Sequence, residues 1–312
     1  MMDLKSLILE RRNIKDKSIN AYLIILKKLN DNKDIYNLDY LNDTENIIKK
    51  INEKKLTTQR NYVSAVLTIL SCRKDIEDND PIMLIYKEHL KNLNDKYDEF
   101  IESHEKTQSQ VDNWCSLAEL DNIRKNYKKR IRNNDYAKKE TLTQEEKINL
   151  TYYVIVSLYT LLPPVRVDYA PMKIITDIND DDNETNYLYI KSRNNKQFIL
   201  NEYKTHRKYG KKIINIPTEL NSVINLYLKF HSSNNSFLFN SKGNYMTAKE
   251  LTLLIPKAFS IYTFKNVTLN LLRHIFISEN IQLKSPEQLK KEKDIADVMG
   301  HSLAIQQTYY KN

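Results

Sequence analysis

The sequence predicts a mainly α protein: a helical N-terminal domain, then a mostly helical domain that carries a small three-stranded antiparallel sheet. Three observations support this class. The 312 residues include only 3 Gly and 7 Pro, too few for a chain dominated by tight turns. Apolar residues recur at helical spacing along most of the chain. Runs rich in β-branched and aromatic residues are confined to one stretch near the middle.

The first hundred residues predict a small helical bundle. Helical patterns cover residues 18–29, 43–52, 57–70 and 80–102, and no strand pattern separates them. Their apolar stripes form the expected core. Contacts with a polar partner would come from basic residues outside these stripes, namely Lys54, Lys55, Arg60, Arg73 and Lys74, although for any one of them a solvated charge is the more common role.

A short polar stretch predicts the boundary between two domains. Residues 103–112 lose the apolar periodicity and gain small polar residues. We therefore expect a helical domain over residues 1–105, a linker over 106–112 and a second domain over 113–312.

The second domain begins with two predicted helices. Ser116 and Glu119 have the spacing of a capping box before a basic helix that ends at Asn133. Thr143 begins an apolar helix that the Pro163-Pro164 pair ends.

The predicted sheet has three strands, residues 187–191, 197–201 and 212–216. The first two are joined by a short hairpin loop, and the last two by a basic loop. The remaining patterns predict helices over residues 218–228, 248–259, 268–279 and 293–298.

Composition limits the classes of function. A net charge of +9 favours a nucleic-acid partner, because lysine and arginine displace counterions from phosphates; charge alone also fits a basic protein without one. Cys72 and Cys115 lack metal-ligand spacing, which predicts reduced thiols and no zinc. We expect an intracellular protein that is neither secreted nor inserted in a membrane, because no signal-peptide pattern or long apolar run occurs.

The chain offers the side chains that a tyrosine needs to cut DNA. Two arginines can hold the non-bridging oxygens of the scissile phosphate, and a lysine can protonate the leaving 5′ oxygen. A histidine supports the developing charge while a phenol attacks, and fixed cations make a metal or other cofactor unnecessary. The candidates, in chain order, are Arg166, Lys204, Arg273, His301 and Tyr310.

Two of these assignments have neighbouring rivals. Lys204 shares its basic loop with three other lysines, Lys208, Lys211 and Lys212. Tyr310 follows Tyr309 directly, and spacing from His301 favours Tyr310.

The order and spacing of these residues resemble the tyrosine recombinase (phage-integrase) family. The box that carries the family's second arginine, His-x-x-Arg-His, is matched by Asn-Leu-Leu-Arg-His at residues 270–274. The family's Leu-Gly-His-Ser box is matched by Met-Gly-His-Ser at 299–302, and Tyr310 lies nine residues after its histidine. Arg166 and Lys204 match the family's first arginine and its hairpin lysine. Together these motifs cover residues 113–312, which the resemblance makes the catalytic domain, and residues 1–105 then correspond to the family's helical DNA-binding (core-binding) domain. The sequence around Arg166 and Lys204 is most similar to integrases of mobile elements and large DNA viruses.

Two departures from the family pattern concern the predicted site. The family's histidine before the second arginine is Asn270 here, which can hold a phosphate oxygen but cannot carry a proton near pH 7. His274 is expected to point elsewhere on the helix and not to replace it. Tyr169 stands where the family has an acidic residue, with Asp168 beside it.

The resemblance implies a site-specific recombinase that forms a 3′-phosphotyrosyl intermediate on double-stranded DNA and acts as a homotetramer on paired sites. Asn270 then joins the five candidates as a site residue. Two alternatives remain open: relaxation of DNA in the manner of a type IB topoisomerase, and a DNA-binding protein whose catalytic site has decayed, which Asn270 keeps possible.

Overall fold

The computed structural model describes residues 3–14, 16–73, 77, 79–230, 235–281 and 286–311. The side chains of residue 102 and of residues 286–289 are not described. Lys74, one of the predicted basic contacts, lies outside the described residues. The fold is mainly α with one small sheet, which confirms the predicted class.

The chain divides into two compact units, Met1–Ser103 and His104–Asn312. The division falls close to the predicted linker, but part of that linker is helical. The functions assigned to the two predicted domains stay predictions. Within the described residues, no helix is long and apolar enough to cross a membrane.

The first unit is a helical bundle around its own apolar core. Three helix starts follow local chemistry: Asp3, Asp43 and Asp80 each accept a hydrogen bond from a backbone N–H in the first turn of the helix that follows. The helices are α1 (Leu4–Arg11), α2 (Asp16–Leu29), α3 (Thr44–Asn52), α4 (Leu56–Leu70) and α5 (Pro81–Glu102).

The second unit opens with three helices that begin at capping boxes, at Thr107, Ser116 and Thr143. The first box starts a helix inside the predicted linker. The helices are α6 (Gln108–Asn113), α7 (Leu117–Asn133) and α8 (Gln144–Leu161). Ten of the eleven residues of α8 from Asn149 to Tyr159 are buried, so α8 lies at the centre of this unit's core.

The sheet has strand order β1-β2-β3-β4. β2 (Tyr187–Ser192), β3 (Asn195–Leu200) and β4 (Lys212–Asn215) pair in antiparallel fashion, as predicted. β1 (Lys173–Ile175) adds a fourth strand that pairs in parallel with β2. The sequence reasoning missed β1, because three residues are too few to show a strand pattern.

The remaining helices surround the sheet and α8. The described helices are α9 (His206–Tyr209), α10 (Thr218–Lys229), α11 (Ala248–Thr263), α12 (Leu269–Asn280), α13 (Pro286–Met299) and α14 (Leu303–Gln307). α9 lies between β3 and β4, in the loop that carries Lys204. A small apolar cluster of α12, α13 and the Tyr309-Tyr310 segment holds the end of the described chain.

Candidate active site

Arg273 is the most buried charged side chain of the candidate site. It lies on α12 and is 2% exposed. Its Nη1 donates to the Pro164 carbonyl at 2.7 Å and its Nη2 donates to His301 Nδ1 at 2.7 Å. Nε has no hydrogen-bond partner among the described residues. One guanidinium therefore joins the loop after α8 to the loop after α13. A buried charge requires hydrogen-bond partners, and these two contacts supply them.

His301 enters the site through a turn that needs glycine. Gly300 has φ +72°, and a Cβ there would lie 3.2 Å from the Thr205 hydroxyl and 3.3 Å from the Tyr203 ring. The Thr205 hydroxyl donates to the Gly300 carbonyl at 2.5 Å. This close approach joins the loop after β3 to the turn that carries His301.

His301 is neutral and has a defined tautomer. Burial and, after it, the charges of Arg273, Arg166 and Lys212 together lower its pKa to about 3. Because Arg273 can only donate, His301 Nδ1 accepts and Nε2 carries the proton. Nε2 is buried and makes no hydrogen bond of ordinary geometry among the described groups, although the Gln306 side chain raises the pKa of the ring; this N–H can therefore turn to an incoming acceptor.

Arg166 lies beside these two residues. The Tyr159 hydroxyl donates to its backbone carbonyl at 3.1 Å, which fixes the chain just after the two prolines. The Arg166 charge lowers the pKa of both Arg273 and His301, after the larger effect of burial. Burial raises the pKa of the neighbouring Asp168 carboxyl, whereas Arg166 and Arg273 lower it. The structure thus brings both predicted arginines into one cluster.

The structure places two lysines differently with respect to this cluster. Lys204 is exposed in the turn before α9. Lys212, at the start of β4, has a buried Nζ with no hydrogen-bond partner among the described residues, over the rings of Tyr203 and Tyr209 at 5.4 and 5.3 Å. Burial lowers the pKa of Lys212, and the Asp297 carboxylate raises it. Its charge acts on His301, so Lys212 belongs to the cluster in this structure.

The two tyrosines face different surroundings. The Tyr309 ring stacks on His301 with centroids 5.4 Å apart, and the Arg273 guanidinium carbon lies 4.9 Å from its centroid. Tyr309 also raises the pKa of Arg273 against the effect of burial. Tyr310, the predicted nucleophile, makes an edge contact with His104 at 5.5 Å and packs in the apolar cluster. The structure therefore brings Tyr309, not Tyr310, to the arginine and the histidine.

Asn270 contacts His274, and His274 contacts Tyr309. Asn270 is exposed, and its Nδ2 lies 3.3 Å from His274 Nε2. His274 is 8% exposed, and its Nδ1 lies 2.9 Å from the Tyr309 carbonyl oxygen. Sequence reasoning missed His274. The signal was its spacing of four residues from Asn270, which places both on one helix face.

The first unit presents one arginine in a fixed orientation. Arg60 Nε donates to Asn94 Oδ1 at 2.7 Å, and its guanidinium lies 4.0 Å over the Tyr97 ring. Lys54 and Lys55, the nearby basic residues of the prediction, are exposed.

The arrangement in the second unit is suited to binding an anion. Arg166, Arg273 and Lys212 place three cations around His301, and each of Arg273, His301 and Lys212 has a buried donor atom without a partner among the described residues. The clustered positive charges repel one another, and each buried donor without an acceptor costs free energy. A bound anion reduces both costs. Among the described residues, no group of three His, Cys, Asp or Glu side chains could hold a metal ion.

Comparison with known proteins gives little beyond this geometry. No family model matches the chain, and no curated protein matches it. A solved structure, the crystal structure of XerA recombinase, is similar at 15% identity, with 98% of this chain and 90% of that chain covered and a TM-score of 0.42. A likeness of this size carries no inference about family or function.

Proposed function

We propose that this protein cuts and rejoins DNA strands through a covalent phosphotyrosyl intermediate, as a recombinase of the tyrosine type. One observation carries the proposal: the buried Arg273 guanidinium contacts His301, and the Tyr309 ring lies against both. A tyrosine that attacks a phosphodiester needs an anion-binding site in contact with its phenol.

The reaction distributes its roles over the cluster as follows. The phenol oxygen attacks phosphorus and releases its proton to solvent water, the bond from phosphorus to the 5′ oxygen breaks, and that oxygen takes a proton from a lysine. Arg166 and Arg273 bind the non-bridging oxygens, and the His301 Nε2–H donates to one of them. Attack by a 5′-hydroxyl on the phosphotyrosine reverses these steps, so no external energy source is required.

Tyr309 is the better supported nucleophile. Spacing from His301 favoured Tyr310, but the contacts of Tyr309 with Arg273 and His301 support Tyr309. Similarly, motif position favours Lys204 as the proton donor, whereas the burial of Nζ and the effect on His301 support Lys212.

The proposed substrate is double-stranded DNA, in keeping with the net charge of +9. The fixed Arg60 of the first unit is suited to a phosphate or base contact, because its fork is held in place before binding. Assembly as a tetramer on two DNA sites is part of the proposal and rests on the motif resemblance alone.

The deciding experiment is covalent trapping on suicide duplexes, in which the cleaved strand loses a short fragment and cannot be rejoined. We expect a protein–DNA adduct with the wild type, none with Tyr309→Phe, and retention of the adduct with Tyr310→Phe. The two variants are matched controls, because each removes one hydroxyl from adjacent residues.

Other outcomes select other functions. An adduct that survives Tyr309→Phe but not Tyr310→Phe makes Tyr310 the nucleophile. DNA binding without any adduct indicates a DNA-binding protein with a decayed site. Rapid relaxation of supercoiled plasmid by monomeric protein indicates an enzyme of the type IB topoisomerase class.

A further inference from the structure

Three polar residues recur every four positions on α12 and face the segment that carries the two tyrosines. They are Asn270, His274 and Ser278, which the helical period places on one face. His274 and Ser278 are each 8% exposed. Polar side chains buried to this degree require partners, and the partners here are backbone atoms of residues 309 and 311.

The contacts form a continuous chain. His274 Nδ1 lies 2.9 Å from the Tyr309 carbonyl oxygen, and the Ser278 hydroxyl donates to the same oxygen at 3.3 Å. The Lys311 N–H donates to the Ser278 oxygen at 2.5 Å. The rings of His274 and Tyr309 also lie 4.9 Å apart. The backbone of this segment is therefore held at two points, the Tyr309 carbonyl oxygen and the Lys311 N–H.

The partners of His274 determine where its proton lies. A carbonyl oxygen only accepts, so Nδ1 carries the hydrogen. Nε2 then presents a lone pair, and the Asn270 amide, 3.3 Å away, supplies a donor. Burial lowers the pKa of His274 to about 4, which keeps the ring neutral near pH 7.

We infer that Asn270 and His274 form a positioning relay: Asn270 reinforces the tautomer of His274 that the Tyr309 carbonyl selects, and His274 holds that carbonyl so that the phenol stays against Arg273 and His301. The inference rests on the proposed function, because the proposed attack by the Tyr309 phenol gives the relay its catalytic consequence. It also gives Asn270 a role other than contact with the phosphate. Asn270 and His274 are positioning residues, because neither needs to touch the reacting atoms.

The relay predicts different effects on activity for substitutions that would have equal effects if the two residues had only a structural role. Asn270→Asp can only accept, so it draws the proton of His274 to Nε2 and leaves a lone pair facing the Tyr309 carbonyl. Asn270→Ala removes the donor to Nε2 and leaves the Tyr309 carbonyl alone to select the tautomer. His274→Asn keeps an amide donor near the position of Nδ1, whereas His274→Leu removes it. Asn280, on the same helix with its amide on the Phe276 carbonyl, provides a matched control as Asn280→Ala.

The first measurement needs no DNA. Nitrogen-15 chemical shifts of the His274 ring report its tautomer. We expect Nδ1–H in the wild type, in Asn280→Ala and in Asn270→Ala, and a shift towards Nε2–H in Asn270→Asp. Nε2–H in the wild type would overturn the relay.

The second measurement is the single-turnover rate of adduct formation on the suicide duplex. We expect losses of about 10–100-fold for Asn270→Asp and His274→Leu, because a small displacement of an attacking group is costly. His274→Asn and Asn280→Ala should stay within about fivefold of the wild type. Thermal unfolding of each variant identifies general destabilisation. A His274→Leu variant that keeps its melting temperature and reacts at the wild-type rate would refute the positioning role.

A fluorine label separates this inference from the proposed function. With 3-fluorotyrosine at position 309, His274→Leu should change the fluorine chemical shift and Asn280→Ala should not. If the wild type forms no adduct but this shift moves, the cleavage proposal fails and the positioning contact stands. If the shift does not move, the relay is wrong whatever the enzyme does.

Discussion

At the scale of single residues, charge and burial decide more than position in the sequence. Lys204 and Lys212 lie eight positions apart in and beside one loop. Lys204 is exposed, whereas Lys212 has a buried ammonium with no hydrogen-bond partner in the described part of the chain. A buried lysine with a lowered pKa gives up its proton more readily than an exposed one.

We predict that Lys212→Met slows adduct formation by about 10²–10⁴-fold, the range expected for loss of a general acid. Lys204→Met should slow it by less than about tenfold. A duplex with sulfur in place of the leaving 5′ oxygen tests the role, because a thiolate leaves without a proton. The sulfur duplex should restore Lys212→Met but not Arg273→Ala. The reverse ranking of the two lysines would return the role to Lys204.

At the scale of elements, the site depends on turns that bring helices and the sheet together. The turn between α13 and α14 approaches the loop after β3 so closely that only the bare Cα of Gly300 fits without displacement. The same turn carries the His301 ring to Arg273.

We predict that Gly300→Ala destabilises the second unit by about 1–3 kcal/mol, since it combines positive φ with contacts to Thr205 and Tyr203. Adduct formation should fall as well, because His301 shifts with its turn. Urea unfolding measures the first effect. Gly243→Ala is the control: its φ is +78°, but no atom lies within 4 Å of the added carbon. Equal losses for the two variants would show that backbone strain alone accounts for the change.

Sequence reasoning recovered the elements that have a periodic pattern. The helices α2 to α5, α7, α8 and α10 to α12, the last part of α13, and the strands β2, β3 and β4 follow from apolar spacing and caps. The short helices α1, α9 and α14 were not predicted. It missed α6 because a polar segment shows no apolar stripe; its start depends on the capping box of Thr107 and Gln110. It missed β1 because that strand exists through pairing with residues 187–189, which a local pattern does not contain.

Motifs predicted which residues form the site better than they predicted how those residues are arranged. Motifs identified Arg166, Arg273 and His301, and the structure brings these three together. Spacing gives the reach of a segment but not the direction of each side chain, so it could not separate Tyr309 from Tyr310. The role proposed for His274 depends on a carbonyl 35 residues away, which no helical pattern reveals.

At the scale of the whole molecule, two buried neutral histidines make the second unit sensitive to acid. The folded pKa values are about 4 for His274 and about 3 for His301, below the usual value near 6.5. Between pH 6.5 and these folded pKa values, the unfolded chain binds protons on these two histidines that the folded chain does not. Stability from these groups is therefore present above pH 6.5 and is lost as the pH falls towards 3.

We predict that each histidine costs roughly 1–2 kcal/mol of unfolding free energy at pH 5 compared with pH 7.5. Urea unfolding monitored between pH 4.5 and 7.5 gives the slope. His301→Asn should reduce the proton uptake on unfolding by about one proton over this range. An unchanged slope in His301→Asn would mean that this ring is already protonated in the folded protein.

The adjacent tyrosines have a consequence for changes in chain length. Seven residues separate His301 from Tyr309, and α14 sets the distance they span. A deletion of one of these residues would bring a second phenol, that of Tyr310, to the place of the first. An insertion of one would bring the hydroxyl of Thr308 there instead. The doubled tyrosine thus protects the chemistry against a shortened segment but not against a lengthened one.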